Sequence, residues 1–118
     1  MQQFPKGFPR RGEIYDVNFN PARGSEQAGR RPAVIVSNDV SNQYSPVVIV
    51  AAITSNIPAK TYAWNVPLPA GQPLPLEGTI YGNQLLTVAK DRLEDHRGDL
   101  TAGQMADLGR ALRISLGL

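Results

Sequence analysis

Apolar residues recur with a period of two, or in short unbroken runs, over much of the first ninety positions. The alternation over residues 13–19 predicts a strand with one buried face. Residues 32–38 and 46–54 are rich in valine and isoleucine and too short for helices, so we interpret both as buried central strands. A fourth strand with one packed face is predicted over residues 62–68, and a fifth over residues 79–88.

Polar and proline-rich segments separate these strands. Residues 1–10 lack periodicity and are predicted to form a flexible lead-in to a single domain of residues 11–118. Residues 20–31 hold two glycines and three arginines but no apolar face, which predicts a long exposed loop. The prolines of residues 69–75 cannot donate to a strand ladder, so this segment is expected to be a connector over the mouth of a barrel.

One helix is predicted at the C-terminal end. Thr101 and Gln104 have the spacing of a capping box, and apolar residues follow at helical spacing up to Gly117. Its apolar side is expected to pack against the sheet or a partner subunit. No segment between the strands has helical periodicity, which argues against parallel βαβ units. The predicted class is mainly β with added α, as a small, strongly curved sheet or barrel.

Composition narrows the chemistry. A chain of 118 residues with 42% hydrophobic and 19% charged residues suits one compact domain. It has no cysteine, which excludes disulfides, thiolate metal sites and a cysteine nucleophile. The longest apolar run, residues 47–53, is far shorter than the roughly 20 residues that span a bilayer, and no apolar signal core stands at the N-terminus. We therefore expect a soluble, cytoplasmic protein.

Basic residues concentrate at the front of the chain. The net charge is only +2, but residues 1–31 hold six basic and three acidic residues, whereas the remainder holds six basic and seven acidic ones. This basic N-terminal segment can bind a polyanion or can simply be solvated.

The polar residues before the helix offer little catalytic chemistry. His96, the single histidine, lies in what we interpret as a solvated charged turn. The nearby acidic residues are expected to favour the positive end of the helix rather than to hold magnesium; they are Asp91, Glu94, Asp95 and Asp99. No metal or cofactor is predicted, and a metal-dependent nuclease is disfavoured.

Two positions at strand ends could act on a phosphate. Arg31 precedes Pro32, which restricts it to an extended conformation at the start of a buried strand, so its direction is set more tightly than that of Arg30. Its guanidinium could clamp phosphate oxygens. Thr54 closes the apolar run and so presents a hydroxyl at the end of a core strand. Either residue could instead be structural.

Four stretches of the chain, taken together, resemble the MazF/PemK family of toxin endoribonucleases. They are RGEIY at 11–15, RGSEQAGRRPAVIVSND at 23–39, VVIVAAITS at 47–55 and LRISLGL at 112–118. The combination of the GSEQ, RP and IT motifs at this spacing carries the resemblance, which runs from residue 11 to the C-terminus.

The resemblance implies a small SH3-like barrel of the CcdB/PemK type with an added helix, working as a homodimer. It also implies metal-free, ribosome-independent cleavage of single-stranded RNA at short sequence motifs. The expected products carry 2′,3′-cyclic phosphate and 5′-hydroxyl ends. Such a toxin would arrest growth by cutting mRNA, and a cognate MazE-like antitoxin, acidic and partly disordered, would neutralise it.

Site residues follow from the motifs. By resemblance, Arg31 and Thr54 are the catalytic residues. The predicted substrate-binding residues are Ser25, Glu26, Gln27, Arg30 and Gln84. Asn83 and Leu86 stand where the family usually has an acidic and a basic residue, so RNA contacts or cut-site preference are expected to differ.

The residue chemistry agrees with a reaction in which the 2′-hydroxyl of the substrate is the nucleophile. Arg31 would stabilise charge on the phosphate and Thr54 would donate a hydrogen bond. Arginine is a poor general base because its pKa lies above about 12, so the proton acceptor stays open, with Glu26 as a candidate. Two alternatives are a gyrase-binding poison of the CcdB type and a noncatalytic SH3-like RNA-binding module.

Overall fold

The computed structural model describes residues 4–19, 29–55, 57–58 and 60–118. Within these residues, six strands form one sheet: β1 (Glu13–Asn18), β2 (Arg30–Ile35), β3 (Val47–Thr54), β4 (Asn65–Leu68), β5 (Gly78–Ala89) and β6 (Leu93–Asp99). Two α-helices accompany them, α1 (Asp39–Tyr44) after β2 and α2 (Ala102–Leu116) after β6, and a 3-10 turn (Lys90–Arg92) joins β5 to β6.

The strand order across the sheet is β4-β5-β3-β2-β1-β6, and every neighbouring pair is antiparallel. Among the described residues no hydrogen-bonded ladder joins β4 to β6, so the sheet is open rather than a closed barrel. The predicted class, mainly β with an added C-terminal helix, is confirmed. The sequence left open whether the strands form a curved sheet or a closed barrel, and the structure is an open sheet.

The central strands are buried on both faces, because consecutive residues contribute to two different cores. The first core includes Ile14, Val34, Ala51, Ile80 and Leu108, and the second includes Tyr15, Val17, Ile35, Val50 and Leu93. Adjacent strand residues point to opposite faces, so β1 supplies both cores. The prediction of one buried face for β1 is therefore wrong: Ile14 lies under α2 and the segment before β5, which cover that side.

Two elements were not predicted, and polar residues form most of both. Asn38, the last residue of the strand predicted over residues 32–38, instead caps α1: its side chain accepts a hydrogen bond from the backbone N–H of Ser41 at 2.8 Å. Residues that favour turns also favour helix N-caps. The interpretation of His96 and its charged neighbours as a turn is wrong, because they form the edge strand β6, paired with β1.

The other strand bounds shift by a few residues. β2 begins at Arg30, two residues before the predicted start, and ends at Ile35. β4 is shorter than predicted, because it begins only at Asn65. The predicted strands at β3 and β5 are confirmed to within one residue at each end.

Segments without regular structure pack closely on the sheet. Residues 4–10 have no helix or strand, yet they contact the sheet. The Phe4 and Tyr15 rings pack edge to face with their centroids 5.8 Å apart, and Pro9 is buried. The predicted connector over residues 69–75 also has no strand, and its Leu74 is buried in the first core. The Gln104 side chain donates to the Gln72 carbonyl at 2.9 Å, which ties the connector to α2.

The C-terminal helix has the predicted caps. Thr101 accepts from the Gln104 backbone at 3.1 Å and Gln104 accepts from the Thr101 backbone at 2.9 Å, so the capping box is complete. Gly117 ends the helix with a φ of 73°, a conformation that glycine adopts without strain. Leu108 and Ala111, on the side of α2 that packs on the sheet, are buried in the first core. No helix within the described ranges is long and apolar enough to cross a membrane.

Candidate functional site

Arg31 and Thr54 come together through strand pairing. In the β2–β3 ladder, Ala33 faces Ala52 and Val34 faces Ala51. Continuing that register by two residues sets Arg31 opposite Thr54, and directly opposed residues in antiparallel strands point to the same face. Arg31 is exposed and Thr54 is half-buried. The two residues predicted to be catalytic thus share one end of the sheet.

A cavity of about 270 Å³ opens beside Thr54. Ile53, Thr54 and Ser55 form its wall on β3, while the segment before β5 supplies Leu74, Pro75, Leu76 and Glu77. Pro32 of β2 and Arg97 of β6 also line it. The cavity is therefore mainly apolar, with two hydroxyls, a carboxylate and a guanidinium at its boundary.

Glycine at position 78 lets β5 approach the backbone of Thr54. A Cβ atom at Gly78 would lie 2.8 Å from the Thr54 carbonyl oxygen and 3.4 Å from the Ile53 side chain. Backbone on one side and a core side chain on the other leave no room for a methyl group. Sequence reasoning missed this residue, because steric demand between strands leaves no periodic signal.

Arg30 is engaged by carboxylates. Its guanidinium pairs with Glu94, and with Asp95 at 2.9 Å and Asp16 at 3.7 Å. The hydrogen bond to Asp95, followed by the charge of Glu94, raises the pKa of Arg30. The acidic residues of β6 therefore act as counter-charges for arginine, and the expectation that Glu94 and Asp95 favour the helix terminus is wrong.

Arg97 is held in a similar way. Its Nη1 donates to both carboxylate oxygens of Asp16, at 3.0 and 3.2 Å. Asp16 is largely buried, with 13% of its side chain exposed, so this pair is better shielded from solvent than the Arg30 pairs. Asp16 thereby links Arg30 to Arg97, which lines the Thr54 cavity.

The loop residues Ser25, Glu26 and Gln27 lie outside the described residues. The two ends of their segment are joined, because the Phe19 N–H donates to the Gly29 carbonyl at 3.0 Å. Gly29 has a φ of 76°, which glycine adopts readily. The segment between them therefore starts and ends next to Arg30 and Arg31.

Gln84 lies in a second cavity of about 370 Å³ rather than beside Thr54. The rings of Tyr62 and Trp64 stack within it, with centroids 4.7 Å apart and planes 8° from parallel. The Lys60 ammonium lies 5.4 Å from the centre of the Tyr62 ring. The sequence pattern assigned these aromatic residues to the packed face of a strand, whereas they precede β4 and line an open cavity.

Amide groups complete this aromatic cavity. Asn83 and Gln84 of β5 line it together with Asn65 of β4. Asn65 is 92% buried, and its Oδ1 has no hydrogen-bond partner among the described residues. A flat ring with donor and acceptor edges would find both stacking and hydrogen-bonding partners there. Leu86, the other departure from the family pattern, is 41% exposed.

Among the described residues, one group has the composition of a metal site: Glu13, His96 and Asp99. It lies where β1 begins, four residues before Val17, which faces Arg31. It is thus separate from Thr54, whose cavity has Glu77 as its one carboxylate among the described lining residues.

Comparison with known proteins identifies the family of the chain. The model of PemK-like, MazF-like toxins of type II toxin–antitoxin systems matches residues 10–116. The chain is 40% identical over 110 residues to Endoribonuclease MazF of Staphylococcus saprophyticus, and the match covers 92% of each chain.

Solved structures of endoribonucleases have a similar fold. A mycobacterial endoribonuclease in complex with its cognate antitoxin superposes with a TM-score of 0.79 and 28% identity, over 93% of this chain and 96% of the other. MazF from Deinococcus radiodurans superposes with a TM-score of 0.76 and 28% identity, over 94% of this chain and 98% of the other.

Substitution of Gly78 tests how closely β5 must approach Thr54. We expect Gly78→Ala to lower the free energy of unfolding by about 1–3 kcal/mol, because the new methyl group overlaps the Thr54 carbonyl. The measurement is urea denaturation followed by circular dichroism. Gly103→Ala is the matched control: its Cβ would have only the Thr101 hydroxyl near it, at 3.9 Å, and alanine favours a helix by up to about 1 kcal/mol. Equal stability of the two variants would contradict the proposed steric demand.

Proposed function

The chain belongs to the PemK-like, MazF-like toxins of type II toxin–antitoxin systems and is an endoribonuclease toxin, and we propose that it cleaves single-stranded RNA with Arg31 and Thr54. The observation that carries this proposal is the β2–β3 register over Ala33–Ile35, whose continuation by two residues sets Arg31 opposite Thr54. The family match over residues 10–116 supports residues 11–118 as one toxin domain.

The substrate supplies its own nucleophile in the proposed reaction. The 2′-oxygen forms a bond to phosphorus as the bond from phosphorus to the 5′-oxygen breaks, which leaves a 2′,3′-cyclic phosphate and a 5′-hydroxyl. Arg31 binds the non-bridging oxygens as negative charge builds, and Thr54 donates a hydrogen bond to the same centre. No step requires a metal ion. Glu77 lines the Thr54 cavity, so its carboxylate, like that of Glu26, can be tested as acceptor of the 2′-hydroxyl proton.

Two surfaces are proposed to hold the RNA. Ser25, Glu26 and Gln27 lie in the segment that leaves the sheet beside Arg31, and we assign them to the nucleotides at the cleaved bond. The aromatic cavity with Gln84 would take an unstacked base further along the strand. Arg30 is expected to contribute weakly to RNA binding, since an incoming phosphate must compete with three carboxylates for its guanidinium.

The proposed partners are a cognate antitoxin and a second copy of the chain. A related mycobacterial endoribonuclease is found in complex with its antitoxin, and we propose that a MazE-like, acidic chain covers the Thr54 cavity and its basic surroundings. The proposed place of action is the cytoplasm, where mRNA is available.

Exposed apolar side chains support the homodimer. Val40 and Tyr44 on α1 are more than 70% exposed, and Val47 and Ile49 on the adjoining β3 are 37% and 40% exposed. Apolar residues grouped in this way on a small domain are typical of a protein interface. We propose that this surface contributes to the contact between two copies.

Cleavage in the absence of metal tests the function. The purified protein is incubated in excess EDTA with a long single-stranded RNA and with its DNA counterpart. We expect discrete RNA fragments with cyclic phosphate ends and intact DNA. An RNA oligonucleotide with one 2′-deoxy sugar before the cut position should resist cleavage at that position only. Intact RNA across diverse sequences would contradict the proposal and favour the gyrase poison or the noncatalytic binding module.

Substitutions separate the roles of the catalytic pair. Arg31→Ala should lower kcat by about 10²–10³-fold or more, the range found when one charge-stabilising donor is removed. Arg31→Lys should not restore it, because an ammonium group lacks the two-pronged geometry. Thr54→Val should lower kcat while Thr54→Ser retains most of it, since only the hydroxyl is required. The control is Arg110→Ala, which removes an exposed arginine paired with Asp107 on α2.

Rates and melting temperatures are measured together for these variants. Full activity of Arg31→Lys would contradict the forked contact with the phosphate. Unchanged cleavage by Thr54→Val would make Thr54 structural. Loss of the cooperative melt in Arg31→Ala would show that this residue maintains the fold instead.

Trp64 is the only tryptophan of the chain, so its fluorescence reports on the aromatic cavity alone. Single-stranded RNA with a 2′-O-methyl group at the cut position should quench the emission. Trp64→Ala should raise KM by roughly 5- to 150-fold with little change in kcat, since one stacked base contributes about 1–3 kcal/mol. Trp64→Tyr keeps a stacking ring and should restore KM. An unchanged KM in Trp64→Ala would exclude the cavity from RNA binding.

A further inference from the structure

A β-bulge brings three potential metal ligands to one face at the β1–β6 edge. Glu13 faces Asp99 and Tyr15 faces His96, while Ile14 faces Gly98, which leaves Arg97 as the extra residue on β6. Residues three apart in a regular strand point to opposite faces. The extra residue shifts the alternation by one position, so the side chains of His96 and Asp99 both lie on the same face of the sheet as Glu13. The imidazole ring of His96 accordingly contacts the ring of Tyr15, at 5.3 Å between centroids.

Glu13 is a buried carboxylate with an unused oxygen. It is 98% buried. Its Oε1 accepts hydrogen bonds from the Arg10 backbone at 2.7 Å and from the Tyr15 hydroxyl at 2.8 Å, whereas Oε2 has no hydrogen-bond partner among the described residues. Leaving a buried carboxylate oxygen without a partner is costly. We propose that Glu13, His96 and Asp99 form a binding site for a divalent cation of the zinc class.

The donor set fits zinc better than magnesium or calcium. One imidazole nitrogen and two carboxylates are ligands that zinc accepts, whereas magnesium and calcium prefer oxygen ligands alone. Two carboxylates also neutralise the charge of the ion. The Tyr15 hydroxyl and the Arg10 backbone N–H donate hydrogen bonds to Glu13 Oε1 and so orient the carboxylate, as outer-shell donors do in metal sites.

The donor atoms are close enough to converge on one ion. His96 Nε2 lies 2.8 Å from Asp99 Oδ1, and the three donor atoms lie within 4.8 Å of one another. Ligands on a tetrahedral zinc ion stand about 3.3–3.5 Å apart, given bonds of about 2.0–2.2 Å. Small rotations of the two exposed side chains therefore suffice. The ion would take the place of the hydrogen bond between His96 and Asp99, with the single ring proton of the neutral imidazole on Nδ1 and water in the open position.

A cavity of about 140 Å³ borders Glu13 and Asp99 and offers an entry path. Lys6, Arg10 and Arg11 also line this cavity. Their positive charge opposes a cation, and we expect it to lower the affinity of the site without altering its ligands. The site plays no part in the proposed cleavage, so RNA cleavage in EDTA and zinc binding are independent observations.

Zinc titration of the untagged, EDTA-treated protein tests the site. We expect zinc chloride to raise the melting temperature by about 10 °C at concentrations a hundredfold above Kd, because the ion binds the folded chain. Magnesium at the same concentration should have little effect. His96 is the only histidine, so its imidazole NMR signals identify the ligand without ambiguity and should shift with zinc in step with the melting temperature.

Variants decide whether these residues bind the ion. His96→Phe keeps an aromatic ring against Tyr15 but lacks the nitrogen, and Asp99→Asn keeps the size of the side chain; both should lose the zinc-dependent shift while melting cooperatively in EDTA. Asp107→Asn, on the exposed side of α2, is the matched control and should retain the shift. Unmoved His96 signals, or a thermal shift that persists in His96→Phe, would overturn the proposal. Loss of RNA cleavage in EDTA would overturn only the proposed function.

Discussion

The pairing register between β2 and β3 is the constraint on which the proposed active site depends. Ala33, Val34 and Ile35 are fully buried, and their partners on β3 are buried as well. Because β2 contributes to both cores, a slip by one residue would exchange every side chain between two differently shaped interiors. The same slip would move Thr54 to the face opposite Arg31. Packing in the middle of the strands therefore fixes the geometry of the exposed residues at their ends.

Electrostatics around this end of the sheet depend on β6. Its carboxylates pair with Arg30, while Asp16 of β1 pairs with both Arg30 and Arg97. These positive charges thus have fixed partners within the fold, and a polyanion must displace them to gain full contact. Exposed pairs of this kind add little to stability. Their effect is to set the direction of the arginine side chains at the cavity rim.

The fold was predictable from the sequence where apolar residues carry the signal. Valine- and isoleucine-rich runs identified β2 and β3, and the capping box located the start of α2. Two elements left no such signal: α1 is too short to show periodicity, and β6 is an edge strand with polar residues at most positions, as edges generally require. The motifs indicated Arg31 and Thr54 as the proposed catalytic pair, but their juxtaposition follows from a strand register that no local pattern encodes. The stacked Tyr62 and Trp64 were assigned to the interior because alternation cannot distinguish a packed face from an open cavity.

The hydrogen bond between Phe19 and Gly29 has a consequence for how such proteins diversify. It closes the base of the segment that carries Ser25, Glu26 and Gln27, so substitutions or insertions within that segment leave the ladder between β1 and β2 intact. The entropy of loop closure grows only slowly with length. Sequence variation in this segment is therefore nearly uncoupled from the stability of the domain. With the proposed role of the segment in holding RNA, one scaffold would acquire new target sequences by small, independent steps, and the segment would be a practical place to graft a chosen specificity.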